Sequence, residues 1–197
     1  SDGGCVAAGS AYVTMTKTSV VKMKPDGTAE WAKIYEAGNS GNYANKIIPA
    51  ADSGYIVAGS ALLKHGVFSD KLWTGLIFKT TSTGNVLWSK SIYEVADKSN
   101  AYQVISLINT NDNGIAILLA NSNKNEVMLV KLTSNGSIQW AQKLLNTSNI
   151  GNCLIQTSDQ GYLAGCYSTS SHYGLAVKFS STGNVSWSKS IGIIIAG

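Results

Sequence analysis

Hydrophobic residues in this chain occur in short runs separated by small polar turns, and the order of these runs repeats four times. In each copy an apolar run leads to a lysine, a turn glycine lies five residues after the lysine, and a tryptophan lies four residues after the glycine. The four tryptophans are Trp31, Trp88, Trp140 and Trp187. Fixed internal spacing with variable connections predicts one repeated supersecondary unit.

Each copy also contains an Asp-x-Gly sequence followed by an apolar run, as in Asp52 to Gly59. Asp-x-Gly predicts a tight turn in which the Asp side chain bonds nearby backbone and the glycine adopts positive φ. The unbroken apolar run is typical of a strand that is buried on both faces. The tryptophan strand alternates instead, as in Val185 to Ile191, and this pattern predicts one wet face.

These elements predict four short antiparallel strands per repeat, named A, B, C and D, and no helix. Sheets that are apolar on both faces must stack on each other, and radial stacking gives a β-propeller with D as the outer strand. An open solenoid and a sandwich are the alternatives. We expect an all-β chain with a single β-propeller domain over residues 1–197, made of four-stranded antiparallel blades. The four blades cover approximately 1–40, 41–98, 99–148 and 149–197.

The two ends of the sequence suggest how the repeats are completed. The first repeat lacks an A strand, and the tail Ile193 to Gly197 resembles an A strand when the sequence is read in a circle. The tail closes a four-bladed ring within one molecule, or it adds a strand to the open edge of a second copy. The third arrangement is a larger array of which these four repeats are a part.

Composition narrows the class of protein. Charged residues make up 13% of the chain, well below the roughly 25% of ordinary soluble domains. Serine, threonine, asparagine and glycine supply the polarity, which favours an extracellular or cell-surface location. The lysines are scattered singly, so the charge pattern argues against nucleic-acid binding. No apolar run reaches the roughly 18 residues that a membrane span needs.

The sequence Asp52-Ser-Gly-Tyr-Ile-Val-Ala-Gly59, with the later lysine and the Gly-Asn-x-x-Trp turn, resembles the tandem β-propeller repeats of large secreted bacterial and archaeal surface proteins. Ile115 to Ala120 departs from this pattern because it lacks the Ala-Gly end. The resemblance implies a scaffold or ligand-binding module. The Thr-Gly-Asn-Val-x-Trp block is also distantly similar to the tryptophan-docking propellers of quinoprotein dehydrogenases. Those enzymes bind a quinone and Ca²⁺ through a carboxylate-rich axial site, and the sequence shows no such cluster.

The recurring side chains have structural interpretations. The four repeat tryptophans are predicted to pack between blades, since a large aromatic side chain buries much apolar surface, with sugar stacking as the alternative. The repeat lysines, Lys22, Lys79, Lys131 and Lys178, are predicted to end strand C with the ammonium group in water. The alternative places them around a central hole. We predict no catalytic residue, no metal site and no cofactor.

The connection between strands B and C of the second repeat is longer than its counterparts. It holds His65, Phe68, Lys71 and Trp73, which we predict to form a contact loop, because insertions in repeats often carry function. The alternative is that Trp73 begins strand C and packs on its own blade.

Cysteine and asparagine residues supply the remaining candidates. Cys153 on strand A and Cys166 on strand B of the fourth repeat are predicted to face each other, at a separation that a disulfide requires. Two free thiols are the alternative. Candidate glycosylation sites in Asn-x-Ser/Thr sequences are Asn135, Asn146 and Asn184.

Together these features favour a non-catalytic extracellular β-propeller that serves as a scaffold or binding module. Its expected partner is another protein or a glycan at the cell surface, or copies of itself. One alternative function is a self-assembling subunit of an extracellular filament or sheath, joined by terminal strand exchange. A second alternative is a quinoprotein-like enzyme.

Overall fold

The chain is all-β. The computed structural model describes residues 2–37, 41–65, 70–93, 101–121, 123–144, 149–168 and 173–192. Within these ranges it has fifteen strands and no helix. In the same ranges, therefore, no helix is long and apolar enough to cross a membrane.

The strands form four antiparallel sheets that follow one another along the chain. Sheet 1 contains β1 (Cys5–Tyr12), β2 (Thr16–Met23) and β3 (Ala29–Tyr35). Sheet 2 contains β4 (Asn42–Pro49), β5 (Tyr55–His65), β6 (Asp70–Thr80) and β7 (Val86–Ile92). Sheet 3 contains β8 (Tyr102–Asn109), β9 (Ile115–Asn121), β10 (Glu126–Leu132) and β11 (Ile138–Leu144). Sheet 4 contains β12 (Asn149–Gln156), β13 (Tyr162–Ser168), β14 (Gly174–Phe179) and β15 (Val185–Ile191).

In sheets 2, 3 and 4 the strands lie side by side in chain order, at the predicted positions A, B, C and D. Sheet 1 has three described strands, which correspond to B, C and D, so β1 is its first strand. The chain divides into two compact units, residues 1–104 and residues 105–197. Sheets 1 and 2 make up the first unit, and sheet 4 with nearly all of sheet 3 makes up the second.

Consecutive sheets stack within each unit. In the first unit, Val20 of sheet 1 packs with Val57 and Phe78 of sheet 2. In the second, Leu129 of sheet 3 packs with Phe179 of sheet 4. Within each unit, the face of the first sheet that carries the repeat lysine and tryptophan, which we call the Trp face, meets the opposite face of the second sheet. We call that opposite face the turn face.

Burial differs between inner and terminal sheets. Every residue of β9 in sheet 3 is buried, so this strand is covered on both faces, as its apolar run predicts. In β1 of sheet 1, exposed and partly buried residues alternate. All seven residues of β15 in sheet 4 are exposed. The outer strand β7 of sheet 2 is also mostly exposed, but Trp88 is partly buried and Ile92 is buried there, whereas Trp187 and Ile191 at the same positions of β15 are exposed.

In the turns between strands A and B, the prediction that the glycine adopts positive φ is wrong. In the second repeat, the Asp52 carboxylate accepts a bond from the Gly54 backbone, as predicted. The residue at positive φ, however, is the middle one, Ser53, with φ of 65°. Gln160 takes the same conformation in the fourth repeat. Gly54 is needed for space, because a Cβ there would lie 2.0 Å from the carbonyl oxygen of Thr80.

The turns between the last two strand positions place glycine at positive φ in every sheet. The four glycines are Gly27, Gly84, Gly136 and Gly183. In the first of these turns the Gly27 amide donates to the Lys24 carbonyl and the Lys24 amide donates to the Thr28 carbonyl. This is a three-residue hairpin loop in which the left-handed position favours glycine.

The insertion in the second repeat is a longer hairpin. Strands β5 and β6 stay paired in one register from Tyr55↔Thr80 to His65↔Asp70. The structure thus places most of the predicted contact loop in regular strands, since the added residues extend both strands together. Phe68 lies outside the described residues.

The expected register of Cys153 and Cys166 is wrong by one residue. A bulge at Asn152 pairs Gly151 with Cys166 and Cys153 with Gly165. Cys153 is exposed, Cys166 is buried, and both are free thiols. Burial, together with the nearby Cys153, raises the pKa of the Cys166 thiol to about 11.

Substitutions at Ser53 and Gly54 distinguish the residue that adopts positive φ from the residue that must be small. Ser53→Gly should stabilise the protein by about 0.5–1 kcal/mol, because glycine adopts positive φ without a steric penalty. Gly54→Ala should destabilise it by about 2–3 kcal/mol, because the new methyl group has to displace backbone. Urea unfolding measures both values. A Gly54→Ala variant as stable as the parent would contradict the close approach.

Candidate functional site

Every repeat lysine forms an ion pair with the aspartate of its own Asp-x-Gly turn. The Nζ to carboxylate distances are 2.7 Å for Lys22–Asp2, 2.8 Å for Lys79–Asp52, 2.9 Å for Lys131–Asp112 and 2.8 Å for Lys178–Asp159. The lysine side chains are only 4–12% exposed. The prediction that these ammonium groups lie in water is therefore wrong.

A bulge beside each lysine explains why the charge is tolerated near the core. The pairing with the next strand shifts between Lys131 and Leu132, and the Lys131 ammonium donates to the Leu132 carbonyl at 3.0 Å. It also donates to Asp112 and to the Gln139 side chain, both at 2.9 Å. A buried ammonium group is stable only when its protons have such acceptors.

The ion pairs keep the aspartates charged. Burial alone raises the pKa of Asp112, but hydrogen bonds from Thr110 and Lys131 outweigh it and lower that pKa to about 2. The bond from Lys178 is the main cause that lowers the pKa of Asp159. The pKa values of Asp2 and Asp52 are lowered in the same way by their lysines.

In the first unit, Trp31 of sheet 1 packs on a turn of sheet 2. Its indole Nε1 donates to the Ser82 carbonyl at 3.1 Å. Its ring covers Gly84 so closely that a Cβ on that glycine would lie 3.0 Å from two ring carbons. The Tyr35 hydroxyl donates to the Gly84 carbonyl at 2.7 Å, and the Lys33 ammonium donates to the Asn85 side chain at 2.7 Å.

The same contact recurs in the second unit. Trp140 of sheet 3 covers Gly183 of sheet 4, where a Cβ would lie 2.6 Å from the nearest ring carbon. Each docked tryptophan also meets a tyrosine of the next sheet. The ring centroids are 5.6 Å apart for Trp140 and Tyr162, and 6.1 Å apart for Trp31 and Tyr55.

The other two repeat tryptophans differ from each other in exposure. Trp88 is partly buried. Trp187, on the last strand, is 42% exposed.

A cleft opens beside each docked tryptophan, between the two sheets of a unit. The cleft in the second unit has a volume of about 370 Å³. It is lined by Asp112, Lys131, Gln139, Trp140, Gln156, Gln160, Tyr162, Ser181 and Thr182. Two aromatic rings, side-chain amides and hydroxyls therefore share one concave surface with an ion pair.

The cleft in the first unit occupies the equivalent position and has a volume of about 620 Å³. Its lining includes the ion pair of Asp2 and Lys22, and Tyr55, Ser82 and Thr83 repeat the tyrosine and hydroxyl positions of the other cleft. Glu30 replaces Gln139. The two clefts share the ion pair, the tyrosine and the two hydroxyl residues, but the lining of the first includes neither a side-chain amide nor the tryptophan.

The lining favours binding over acid–base chemistry. The carboxylate and the ammonium group of the ion pair in each cleft bond each other, and the pKa of each aspartate is lowered, away from the range near neutrality that general acid–base catalysis would use. Amides and hydroxyls offer donors and acceptors without charge. In the described ranges no group of three or more His, Cys, Asp or Glu residues is placed to hold a metal ion.

The described residues of the predicted contact loop lie along the β5–β6 hairpin. His65 and Lys71 lie at the far end of the β5–β6 hairpin. Trp73 lies in β6, where its ring is 5.4 Å from that of Tyr43 in the same sheet. This contact supports the alternative in which Trp73 packs on its own sheet.

Two of the predicted glycosylation sites lie in exposed turns. Asn135 follows β10, and its side-chain oxygen accepts a bond from the Ser137 backbone at 3.2 Å. Asn184 precedes β15, and its amide donates to Thr182 at 3.2 Å. Asn146 lies outside the described residues.

Sequence reasoning missed the lysine–aspartate pairs although both partners were noted. The signal was available, because Asp-x-Gly opens strand B in each repeat and the lysine ends strand C. Antiparallel pairing of B with C brings those two points together.

Comparison with solved structures finds chains of similar fold. No family model matches the chain, and no curated protein matches it. The crystal structure of a protein of unknown function from Bacteroides caccae is similar, with a TM-score of 0.57 and 11% identity. The match covers 95% of this chain and 57% of that one. The chain thus spans a little over half the length of this neighbour, and the likeness concerns the fold alone.

The ion pair in sheet 3 gives a pH-dependent prediction. The pKa of Asp112 is lower in the folded protein than the roughly 4 of an unfolded aspartate, so its stabilising contribution is full above about pH 4 and lost toward pH 2. Asp112→Asn should therefore be less stable than the parent at pH 7, and the difference should shrink as the pH falls to 2.5. Urea unfolding at several pH values measures this difference. A constant difference would contradict the assigned role.

Proposed function

We propose that the chain is a non-catalytic extracellular β-propeller that acts as a scaffold and binds neutral saccharides in the clefts between consecutive sheets. The main support for this proposal is that a similar cleft recurs in both units. In each unit it is lined by a tyrosine, two adjacent hydroxyl residues and a lysine–aspartate pair. The β-propeller arrangement is supported by four successive antiparallel sheets that stack Trp face to turn face within each unit.

The chemistry of the cleft supports a saccharide. Sugar rings offer apolar C–H surfaces that pack on aromatic rings, and hydroxyl groups that exchange hydrogen bonds with amides and hydroxyls. The lining of the cleft in the second unit combines the partly buried Trp140 with the side-chain amides of Gln139 and Gln160. Its ion pair is internally neutralised, so a neutral ligand fits better than a strongly charged one.

The low charge of the chain supports an extracellular location. Only 13% of its residues are charged, and two of the candidate glycosylation sites lie in exposed turns. Mass spectrometry of the protein isolated from its native source would show whether Asn135 and Asn184 carry glycans.

Binding is tested by titrating the isotope-labelled protein with a panel of neutral mono- and oligosaccharides and following amide chemical shifts. Shifts confined to the residues of the two clefts are expected. Gln139→Ala should weaken binding in the second unit about fivefold, the value of one hydrogen bond. Gln142→Ala is the matched control, because it changes the same residue type on the same strand outside the cleft.

Because Gln139 also accepts a hydrogen bond from Lys131, its loss could lower stability as well as affinity. Urea unfolding of both variants measures the change in stability, so that it can be told apart from the change in affinity. Shifts that map elsewhere, or no shift with any saccharide, would overturn the ligand assignment. Equal affinities of Gln139→Ala and Gln142→Ala would overturn the assigned role of Gln139.

A second candidate function is a subunit of an extracellular filament or sheath, assembled by terminal strand exchange. It is favoured by the three described strands of sheet 1, which leave a place beside β1 for an added strand. Deletion of residues 193–197 should then dissolve any fibres that electron microscopy shows for the full chain. Fibres that survive the deletion would contradict strand exchange.

A further inference from the structure

Two sheets of the same unit are joined by a contact between a tryptophan and a turn glycine. Sheet 4 exposes the tryptophan side of such a contact, and sheet 1 exposes the glycine side. Within the units, a tryptophan covers the turn glycine of the next sheet, as Trp31 covers Gly84 and Trp140 covers Gly183. Trp187 of sheet 4 is 42% exposed. Gly27 of sheet 1 has nothing within 4 Å of the position a Cβ would take. One end therefore presents an undocked tryptophan, and the other presents an uncovered turn.

The exposed surface extends beyond these two residues. On the Trp face of sheet 4, Ile155 is 53% exposed and Ile191 is 58% exposed. The residue at the position of Ile155 in sheet 3 is Ile108, and it packs against the core between sheets 3 and 4. Sheet 4 thus exposes apolar side chains whose counterparts in sheet 3, Ile108 and Leu144, are partly buried and pack against the core.

The turn face of sheet 1 shows the complementary pattern. Ala7 is exposed, whereas the residues at its position in sheets 2 and 4, Val57 and Ala164, are fully buried. Cys5 is also exposed and stands where Tyr55 and Tyr162 meet a docked tryptophan. Along β1 this face carries small residues, Cys5, Ala7, Gly9 and Ala11, so this part of it leaves room for large side chains from a partner.

Polar groups at the two ends match as well. In the docked pair of sheets 1 and 2, the Lys33 ammonium reaches across to the Asn85 side chain in the turn of sheet 2. Lys189 occupies the position of Lys33 in sheet 4, and Thr28 occupies the position of Asn85 in sheet 1. The exposed Asp26 lies two residues from Thr28 and adds a negative charge where the lysine would arrive.

We propose that the Trp face of sheet 4 docks on the turn face of sheet 1 of a second copy of this chain. Trp187 covers Gly27 in this interface, and its indole N–H donates to the Pro25 carbonyl, the equivalent of Ser82. The two surfaces differ, so the contact is head-to-tail, and repetition gives open chains or closed rings of copies. The association does not depend on a ligand in the clefts, so its failure would leave the proposed saccharide binding untouched.

Sedimentation velocity of the purified chain over a wide range of concentrations tests the proposal. The parent should associate more as its concentration rises. Trp187→Ala should weaken association about tenfold or more, since a buried tryptophan commonly dominates an interface. Ala7→Glu should weaken it similarly, because it puts an unpaired charge into the contact. Ile138→Ala, which shortens an apolar side chain that is 61% exposed on sheet 3, should leave association unchanged.

Mixing the two defective variants is the deciding measurement. The Trp187→Ala variant has an unchanged turn face on sheet 1, and the Ala7→Glu variant has an unchanged Trp face on sheet 4. Together they should form a one-to-one dimer that neither forms alone. A parent that stays monomeric, or a mixture that stays monomeric, would overturn the proposal. Association that survives Trp187→Ala but is lost on deleting residues 193–197 would also overturn it and assign the contact to strand exchange.

Discussion

The structure depends on one constraint: a sheet that is apolar on both faces is stable only when both faces are covered. The inner strands show the result, since β9 is buried along its whole length. The last strand β15 shows the difference where cover is lacking: Trp187 and Ile191 are exposed, whereas at the same positions of β7 Trp88 is partly buried and Ile92 is buried.

The repeat lysine and its surroundings form a structural unit of four parts: the bulge, the aspartate, the lysine and a glycine. The bulge beside the lysine frees a carbonyl oxygen, the aspartate supplies a carboxylate, and the lysine bonds both. The glycine that follows the aspartate leaves room for them, because a Cβ on Gly114 would lie 2.1 Å from the Lys131 nitrogen. A buried charge is thus held by geometry that recurs in all four sheets, and removal of one partner would leave the others unsatisfied.

Most of the secondary structure follows from the sequence, because period-two alternation, apolar runs and turn glycines are local signals. Four sheets, strand order and the three-stranded sheet 1 were all accessible in this way. The bulge at Asn152, which separates Cys153 from Cys166, was not, because an extra residue in one strand leaves no mark in the hydrophobic pattern. The clefts were missed for a similar reason, since they arise between two sheets and no single repeat contains one.

The long β5–β6 hairpin has a consequence for how this chain tolerates change in length. Its pairing runs without interruption to His65↔Asp70, so the insertion was made in matched steps on both strands. An antiparallel ladder that grows by equal amounts on each side preserves which face every later side chain takes, whereas growth on one side alone would invert it. A change that adds the same number of residues to β5 and to β6 therefore leaves the side chains of the core on their original faces.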